Sequence, residues 1–363
     1  MKQINPWSDE IPNDYKRIIK DFGLETFNRD LLPEPNHLMR RNIVFASRDL
    51  KRIRDAIVNK EPYYVLTGIM PSSQRIHIGT KNVIDNVVYF QERNAKTFVC
   101  VADLESLATR KISLEEARRR ALEFHIPMYI ALGLNIKKTI FYFQSENKKV
   151  LHLAYDFSSR ITLNEFRAIY GTADPSRIVS ALTQAADILF PQLESKMPGI
   201  IPVGIDQDPH IRLTRDIVAR TKSKYKFIPP SSIYNKFVPS LDGSLKMSKS
   251  NPQTSIFLPE DPDVVCKRIK KALTGGRESV ALQKKHGGNP DSCMIFELYK
   301  QQFINDDKKL KDIYEKCKSG ELLCGECKQM ACDIVKKYLK DLEKKFERAK
   351  KSVDRINLLS FDD

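Results

Sequence analysis

Apolar residues along this chain follow two alternating periods. Tyr63-Tyr64-Val65-Leu66, Thr97-Phe98-Val99-Cys100-Val101, Thr139-Ile140-Phe141-Tyr142-Phe143 and Ile200-Ile201-Pro202-Val203-Gly204 are short runs of strand length. Between them, apolar positions recur every three or four residues. Val83, Ile84, Val87 and Val88 share one helical face after the first run. Ser113-Leu114-Glu115-Glu116 reads as a capping box that opens a long helix toward Leu132, and Gly133 ends it. A further helix follows Pro209. Strand alternating with helix predicts an α/β fold, a Rossmann-like parallel sheet with right-handed crossovers. Residues 148 to about 198 read as a helical insertion in that alternation. Residues 1–61 read as an N-terminal extension with a short helix at 14–22, a proline-rich turn at 32–35 and a basic helix at 48–59. Beyond Asp261 the pattern is helical almost throughout, and its last helix spaces Val335, Leu339, Leu342, Phe346, Ala349 and Val353 at three and four. The expected organisation is an extension (1–61), a sheet domain (62–260) and an all-helical C-terminal domain (261–363).

Composition sharpens this picture at three points. The 363 residues carry 61 Lys and Arg against 46 Asp and Glu, a net charge of +15. Such a balance favours a polyanionic partner, usually nucleic acid. The lysines of the last helix lie opposite its apolar stripe and read as a solvated face. No apolar run approaches the roughly 18 residues that a membrane span requires. The polar N-terminus holds no signal-peptide core, so the expected compartment is the cytoplasm. Seven cysteines in a reducing compartment argue against a disulfide framework.

Two segments carry candidate nucleotide chemistry. Pro71-Ser72-Ser73-Gln74-Arg75-Ile76-His77-Ile78-Gly79-Thr80 follows the first strand and leads into a helix. Ligands of open parallel sheets bind at the carboxyl ends of strands, and a helix N-terminus offers free N–H groups to phosphate. Gly79 permits close backbone approach, and His77 can donate to a phosphate oxygen. A His-x-Gly turn before a helix is common, and alone it decides little. The second segment is Lys246-Met247-Ser248-Lys249-Ser250, after the turn Leu241-Asp242-Gly243-Ser244. Two lysines among small hydroxyl residues suit a mobile cationic loop that closes over a triphosphate.

Together these segments resemble the two signatures of class I aminoacyl-tRNA synthetases. His77-Ile78-Gly79-Thr80 is similar to their His-Ile-Gly-His, with Thr80 in place of the final histidine; Lys246-Met247-Ser248-Lys249-Ser250 matches the second signature unaltered. A threonine hydroxyl still donates to phosphate but carries no charge. The resemblance extends to tryptophanyl-tRNA synthetases of the archaeal and eukaryotic branch. It rests on Gly204-Ile205-Asp206-Gln207-Asp208-Pro209-His210, on His37 to Phe45, on Ala181-Leu182-Thr183-Gln184-Ala185-Ala186-Asp187, on Gly275-Gly276-Arg277 and on Leu358-Leu359-Ser360-Phe361. It implies ATP with Mg²⁺, an adenylate intermediate, tRNA(Trp) and L-tryptophan as partners, a homodimer through the helical insertion, and anticodon binding by residues 261–363. Gly68, Pro71, Ser72, His77, Ile78, Gly79, Thr80, Gly204, Asp206, Lys246, Met247, Ser248, Lys249 and Ser250 are the residues expected around ATP.

Tryptophan sets its own requirements. An indole N–H is only a donor, so the pocket must supply an acceptor. Gln184 and Asp187, one helical turn apart, can face one pocket, and Gln207 and Glu105 each follow a strand at the ligand-binding end. By resemblance Glu105, Gln184 and Gln207 line the pocket. Leu66 and Cys100 stand where eukaryotic relatives carry polar indole contacts, which leaves Asp187 as the expected acceptor; a cap or salt bridge is its other reading. Activation needs no general base, since the substrate carboxylate is ionised at neutral pH. His77 and Thr80 would hold the triphosphate, and Lys246 and Lys249 the departing pyrophosphate.

Four cysteines stand apart from this scheme. Cys324-Gly325-Glu326-Cys327 is a Cys-x-x-Cys pair with Cys317 shortly before it and Cys293 farther back. Four thiolates suit a [4Fe–4S] cluster or Zn²⁺, and the resemblance favours the cluster; four free thiols are the alternative. Cys100, Cys266 and Cys332 read as core or incidental residues. Rival readings are a tyrosyl-tRNA synthetase, an inactive tRNA-binding paralogue and a nucleotidyltransferase for a small cofactor precursor. The Asp-Gln-Asp-Pro segment disfavours the first. The intact Lys-Met-Ser-Lys-Ser argues against the second, and the basic helical C-terminal third is not needed by the last.

Overall fold

A computed structural model describes residues 14–247 and 251–359. Ten strands are found among them: β1 (Glu25–Thr26), β2 (Val44–Arg48), β3 (Tyr64–Ile69), β4 (Ile76–His77), β5 (Lys96–Val101), β6 (Thr139–Phe143), β7 (Gly199–Gly204), β8 (Ser231–Asn235), β9 (Phe257–Leu258) and β10 (Asn357–Leu358). Eight form one sheet in the order β1-β2-β8-β7-β3-β5-β6-β10; β4 and β9 pair separately. From β8 to β10 every neighbour is parallel, while β1 and β2 run antiparallel along one edge. This is the expected Rossmann-like sheet with a largely helical C-terminal region. The order of travel reverses between β3 and β7, so a crevice opens at their carboxyl ends.

Alternation along the strands explains the layering. Val65 and Ile69 of β3 and Val99 and Val101 of β5 enter the apolar cluster shared with the helix Gly79–Glu92. The intervening Tyr64, Leu66, Phe98 and Cys100 face the other way. They pack with the helices Lys148–Ser158, Pro175–Leu189 and Asp208–Arg220. Leu66 and Cys100 thus sit on the face covered by the helix that carries Gln184 and Asp187.

Local chemistry sets the helix ends. Ser113 caps Leu114–Arg120 by accepting from Glu116 N at 3.2 Å. The helix continues to Ala131, but Ala121–His125 is a π-turn. Pro127 has no N–H for the carbonyl four residues back, and its ring crowds that carbonyl, so the turn widens. Thr162 and Glu165 form a capping box, and Asp174 caps the helix that starts at Pro175.

Several elements depart from expectation. The basic helix starts at Leu50, because Arg48 belongs to β2 and pairs with Ser232 of β8. Residues before 61 therefore extend the central sheet. The last helix is Cys324–Lys350, so Val353 lies beyond it. One apolar cluster runs from Ile76 and Ile78 through Phe124 and Met128 to Val335 and Leu339, joining the sheet region to the C-terminal helices.

A polar seam crosses the same junction. Asn82, on the buried side of Gly79–Glu92, donates to Gln301 Oε1 at 3.0 Å and accepts from Gln302 Nε2 at 2.7 Å. One turn later Asn86 accepts from Asn36 and donates to Asn235 Oδ1, both at 2.9 Å. Arg40 and Arg41 close the seam with ion pairs to Asp307. Among the described residues no helix is long and apolar enough to cross a membrane.

The cysteines require two corrections. Among the described residues no group of three or more His, Cys, Asp or Glu is placed to hold a metal ion, which overturns the expected [4Fe–4S] or Zn²⁺ site at Cys293, Cys317, Cys324 and Cys327. The thiols have neutral partners instead: Cys324 meets the Gln283 amide at 3.4 Å, and Cys327 meets the Tyr299 hydroxyl at 3.9 Å. Burial first, and the neighbouring sulfurs after it, push Cys317 up to about 11 and Cys327 to about 12. The same finding leaves the implied Mg²⁺ no cage of protein carboxylates, and such an ion is ordinarily held largely by substrate phosphates. Second, Cys266 and Cys332 are core residues, but they are paired, against the expectation of no disulfide framework. The helices Pro262–Lys271 and Cys324–Lys350 lie side by side, and a disulfide joins them with Cα atoms 5.0 Å apart.

Candidate functional site

A cavity of about 830 Å³ opens at the carboxyl ends of β3 and β7. Fourteen of the sequence-selected positions line it: Leu66, Gly68, Ser72, His77, Gly79, Thr80, Glu105, Gln184, Asp187, Gly204, Asp206, Gln207, Lys246 and Met247. Pro71 and Ile78 do not. Both are buried, and Ile78 is fixed in the apolar core with its N–H on Ile256 O at 2.9 Å. Ser248, Lys249 and Ser250 lie outside the described residues.

On the flank of the helix Gly79–Glu92, the geometry begins with β4. His77 pairs with Phe257, and its Nδ1 accepts the Gly79 N–H at 3.1 Å. That bond places the ring proton on Nε2, which makes Nε2 a donor. A Cβ at Gly79 would come within 2.8 Å of Nδ1, so glycine is required for this contact. Across the crevice, a Cβ at Gly204 would meet Asp206 Oδ1 at 2.6 Å; the bare backbone lets that carboxylate fold over the end of β7. Lys246 stacks its ammonium 5.6 Å from the Phe237 ring, and Met247 is pinned by its N–H to Val238 O at 3.0 Å.

The other flank is a slot between the sheet and the helix Pro175–Leu189. Leu66, Cys100, Ile188, Ile201, Val203 and Ile211 give it apolar walls. Polar groups are few and ordered. Gln184 Nε2 donates to Gln207 Oε1 at 3.2 Å. Asp187 is buried and accepts from the Tyr142 hydroxyl at 3.0 Å and from Gln144 Nε2 at 2.6 Å. Burial pushes its carboxyl up to about 7 against those hydrogen bonds, and desolvation does the same to Glu105. His210, bonded to Tyr170 at 2.9 Å, is driven down to about 3 by burial and stays neutral. Asp208 does not reach the slot. It accepts from Arg48 at 3.0 Å and Tyr234 at 2.7 Å, and so anchors the turn that presents Gln207.

Gln144, His210, Arg110, His125, Tyr129 and Lys236 also line the cavity and were not selected from sequence. Gln144 had a signal: it is the residue immediately after β6, at the same ligand-binding end that marked Glu105 and Gln207. His125 had none, because the π-turn aims it, with Nε2 2.8 Å from Ser73 O.

A profile of the family described as tRNA synthetases class I (W and Y) matches residues 58–340. The tryptophan–tRNA ligase of Methanocaldococcus jannaschii is 44% identical over 98% of both chains. The chain belongs to the class I tryptophanyl-tRNA synthetases, of the archaeal and eukaryotic type. The ligase of Hyperthermus butylicus is 40% identical over 98% of this chain and 96% of its own. The crystal structure of the tryptophanyl-tRNA synthetase from the archaeon Aeropyrum pernix superposes with a TM-score of 0.89 at 39% identity, covering 99% of this chain and all of that one. The cavity at the sheet's switch point brings together the described parts of both signatures, Lys246 and Met247 with His77, Gly79 and Thr80.

Proposed function

We infer that the chain activates tryptophan with ATP and transfers it to its tRNA. The observation that carries this is the cavity at the switch between β3 and β7, with a phosphate-suited flank and an apolar slot lined between them by Gly68 and Gly204. The relatives favour tryptophan over tyrosine as the amino acid.

Chemistry follows from that arrangement. The tryptophan carboxylate attacks the α-phosphorus of ATP in line; a carboxyl–phosphorus bond forms and the bond to pyrophosphate breaks. The 3′-terminal ribose of tRNA(Trp) then attacks the adenylate carbonyl, and AMP leaves. We assign His77 Nε2, the Thr80 hydroxyl and the backbone around Gly79 to the triphosphate, with Gly68, Ser72, Gly204 and Met247 shaping the nucleotide site. Asp206 would repel phosphate and so suits nucleotide hydroxyls. Lys246 and, from the sequence, Ser248, Lys249 and Ser250 close over the leaving pyrophosphate. Glu105, Gln184 and Gln207 receive the α-ammonium, and Leu66 and Asp187 bound the indole.

Residues 62–260 are the proposed catalytic domain, 261–363 the anticodon-binding domain and 1–61 an extension that completes the sheet. The proposed homodimer meets through the helices of 148–198, which expose Tyr155 and Val179 at 85% and 60%. The proposed compartment is the cytoplasm. Pyrophosphate exchange tests the reading: exchange driven by tryptophan and not by tyrosine is expected, followed by charging of tRNA(Trp). Exchange driven by tyrosine would overturn it.

A further inference from the structure

We propose that Arg120, His125 and Tyr129 are positioning residues for ATP: a stripe of donors on one helix, brought into register by the π-turn, splints the chain from Gly68 to Ser73 in the shape that the nucleotide meets. This rests on the assignment of ATP to that flank.

The splinted stretch needs outside partners. β3 ends at Ile69 and β4 begins at Ile76, so residues 70–75 have no ladder to satisfy their carbonyls. The helix that runs from Leu114 to Ala131 supplies donors instead. Arg120 Nη1 donates to Ser72 O at 2.9 Å, His125 Nε2 to Ser73 O at 2.8 Å, and the Tyr129 hydroxyl to Gly68 O at 3.2 Å. A carbonyl only accepts, so in this contact the His125 proton sits on Nε2. Gly68 and Ser72 line the cavity, as do His125 and Tyr129.

Spacing makes the stripe distinctive. His125 and Tyr129 stand one α-helical turn apart. Arg120 and His125 are five residues apart, which on a regular α-helix separates side chains by about 140°. The turn Ala121–His125 absorbs the difference. The Ile126 N–H bonds to Ala121 O, five residues back, so this turn holds one residue more than an α-turn. Arg120, His125 and Tyr129 can then share a face. Two of them are braced as well. Arg120 Nε donates to Glu116 Oε1 at 2.6 Å, and buried His125 packs its ring 4.9 Å from Phe124. Turns of this kind are rare and are found frequently at functional sites. A loop ordered before ATP arrives spares binding the entropy cost of ordering it. Loosening the splint should therefore weaken ATP and spare tryptophan, whose slot lies on the other flank.

The test is pyrophosphate exchange by the full chain, with ATP and tryptophan varied separately. His125→Phe keeps a ring and removes the donor, whereas His125→Gln keeps an N–H near the Nε2 position. KM for ATP should rise about fivefold in His125→Phe and return toward its original value in His125→Gln. In Arg120→Met, which loses a charge-assisted bond, it should rise by about tenfold or more. KM for tryptophan should change little in all three. Trypsin reads the loop itself, since Arg75 is exposed within it. Cleavage after Arg75 should be faster in His125→Phe and Arg120→Met than in the unmodified protein. An unchanged KM for ATP, equal increases for ATP and tryptophan, no recovery in His125→Gln, or unchanged cleavage would each overturn the proposal. If His125→Phe does not fold, Arg120→Met decides alone: a raised KM for ATP with faster cleavage supports the splint, and either one unchanged refutes it. Absence of tryptophan-driven exchange in the unmodified protein would sink the assigned activity instead, while cleavage after Arg75 would still report whether the stripe holds the loop.

Discussion

Arg48 and Asp208 form a buried ion pair, Nη2 to Oδ1 at 3.0 Å, with the Asp208 side chain fully enclosed. It ties the end of β2 to the turn that carries Gln207. Arg48→Met should remove one of two cations from the buried Asp208 carboxylate, leaving Arg212 at 3.0 Å, and lower stability by about 1.5–3 kcal/mol. Urea unfolding measures this directly, and a midpoint close to that of the unmodified protein would show that Arg212 or Tyr234 suffices. Because Gln207 is presented by the same turn, KM for tryptophan should rise as well.

His77 and Gly79 give a second prediction. Gly79→Ala would put a methyl 2.8 Å from His77 Nδ1 and rotate the ring away from the cavity. A misplacement of this size should reduce kcat for exchange by about 100-fold while leaving tryptophan affinity near its original value. Stopped-flow adenylate formation and equilibrium dialysis separate the two; parallel losses in both would count against a phosphate role for His77.

The lysine loop gives a third prediction. Removing one preorganised contact to developing charge should raise the barrier by about 2.7–4 kcal/mol. Lys249→Ala should therefore slow activation by that amount and weaken tryptophan binding little. Unchanged exchange kinetics would take the loop out of the mechanism.

The slot should also respond to pH. Burial raises Glu105 to about 7, so the carboxyl is protonated below that value and ionised above it. The substrate ammonium binds the ionised form, so tryptophan KM should fall as pH rises from 6 to 8. Glu105→Gln should flatten much of the dependence. A slope of the opposite sign would mean that a protonated carboxyl is the binding form.

What sequence could and could not reveal follows from the range of the interactions involved. The strands β3, β5, β6 and β7 were legible because their own β-branched and aromatic residues make the pattern. β2 was not: Ser47, Arg48 and Asp49 look like the start of a helix, and only pairing with β8, far along the chain, makes Val44–Arg48 a strand. Most site residues were legible because they follow strands or belong to the two signatures. Ile78 sits inside a signature, yet its side chain falls on the core face of the turn. Cys324 and Cys327 suggested metal through spacing and resemblance; on a helix, that spacing is also one turn, and each sulfur found a nearby side chain. The bond between Cys266 and Cys332 spans 66 residues and needs the packed helices to be visible.

The amide seam has a mechanical consequence. Gly79–Glu92 begins with the groups that face phosphate, and within two turns it is clamped through Asn82, which donates to Gln301 and accepts from Gln302, and Asn86, which donates to Asn235 and accepts from Asn36. An apolar contact can slide by an ångström at little cost, whereas an amide that donates to one partner and accepts from another holds only in register. Any displacement of the Tyr299–Phe303 turn must therefore either drag that helix with it or break several buried bonds at once. The position of the C-terminal helices is thereby indexed to the phosphate end of the cavity, like a ratchet with a single tooth engaged.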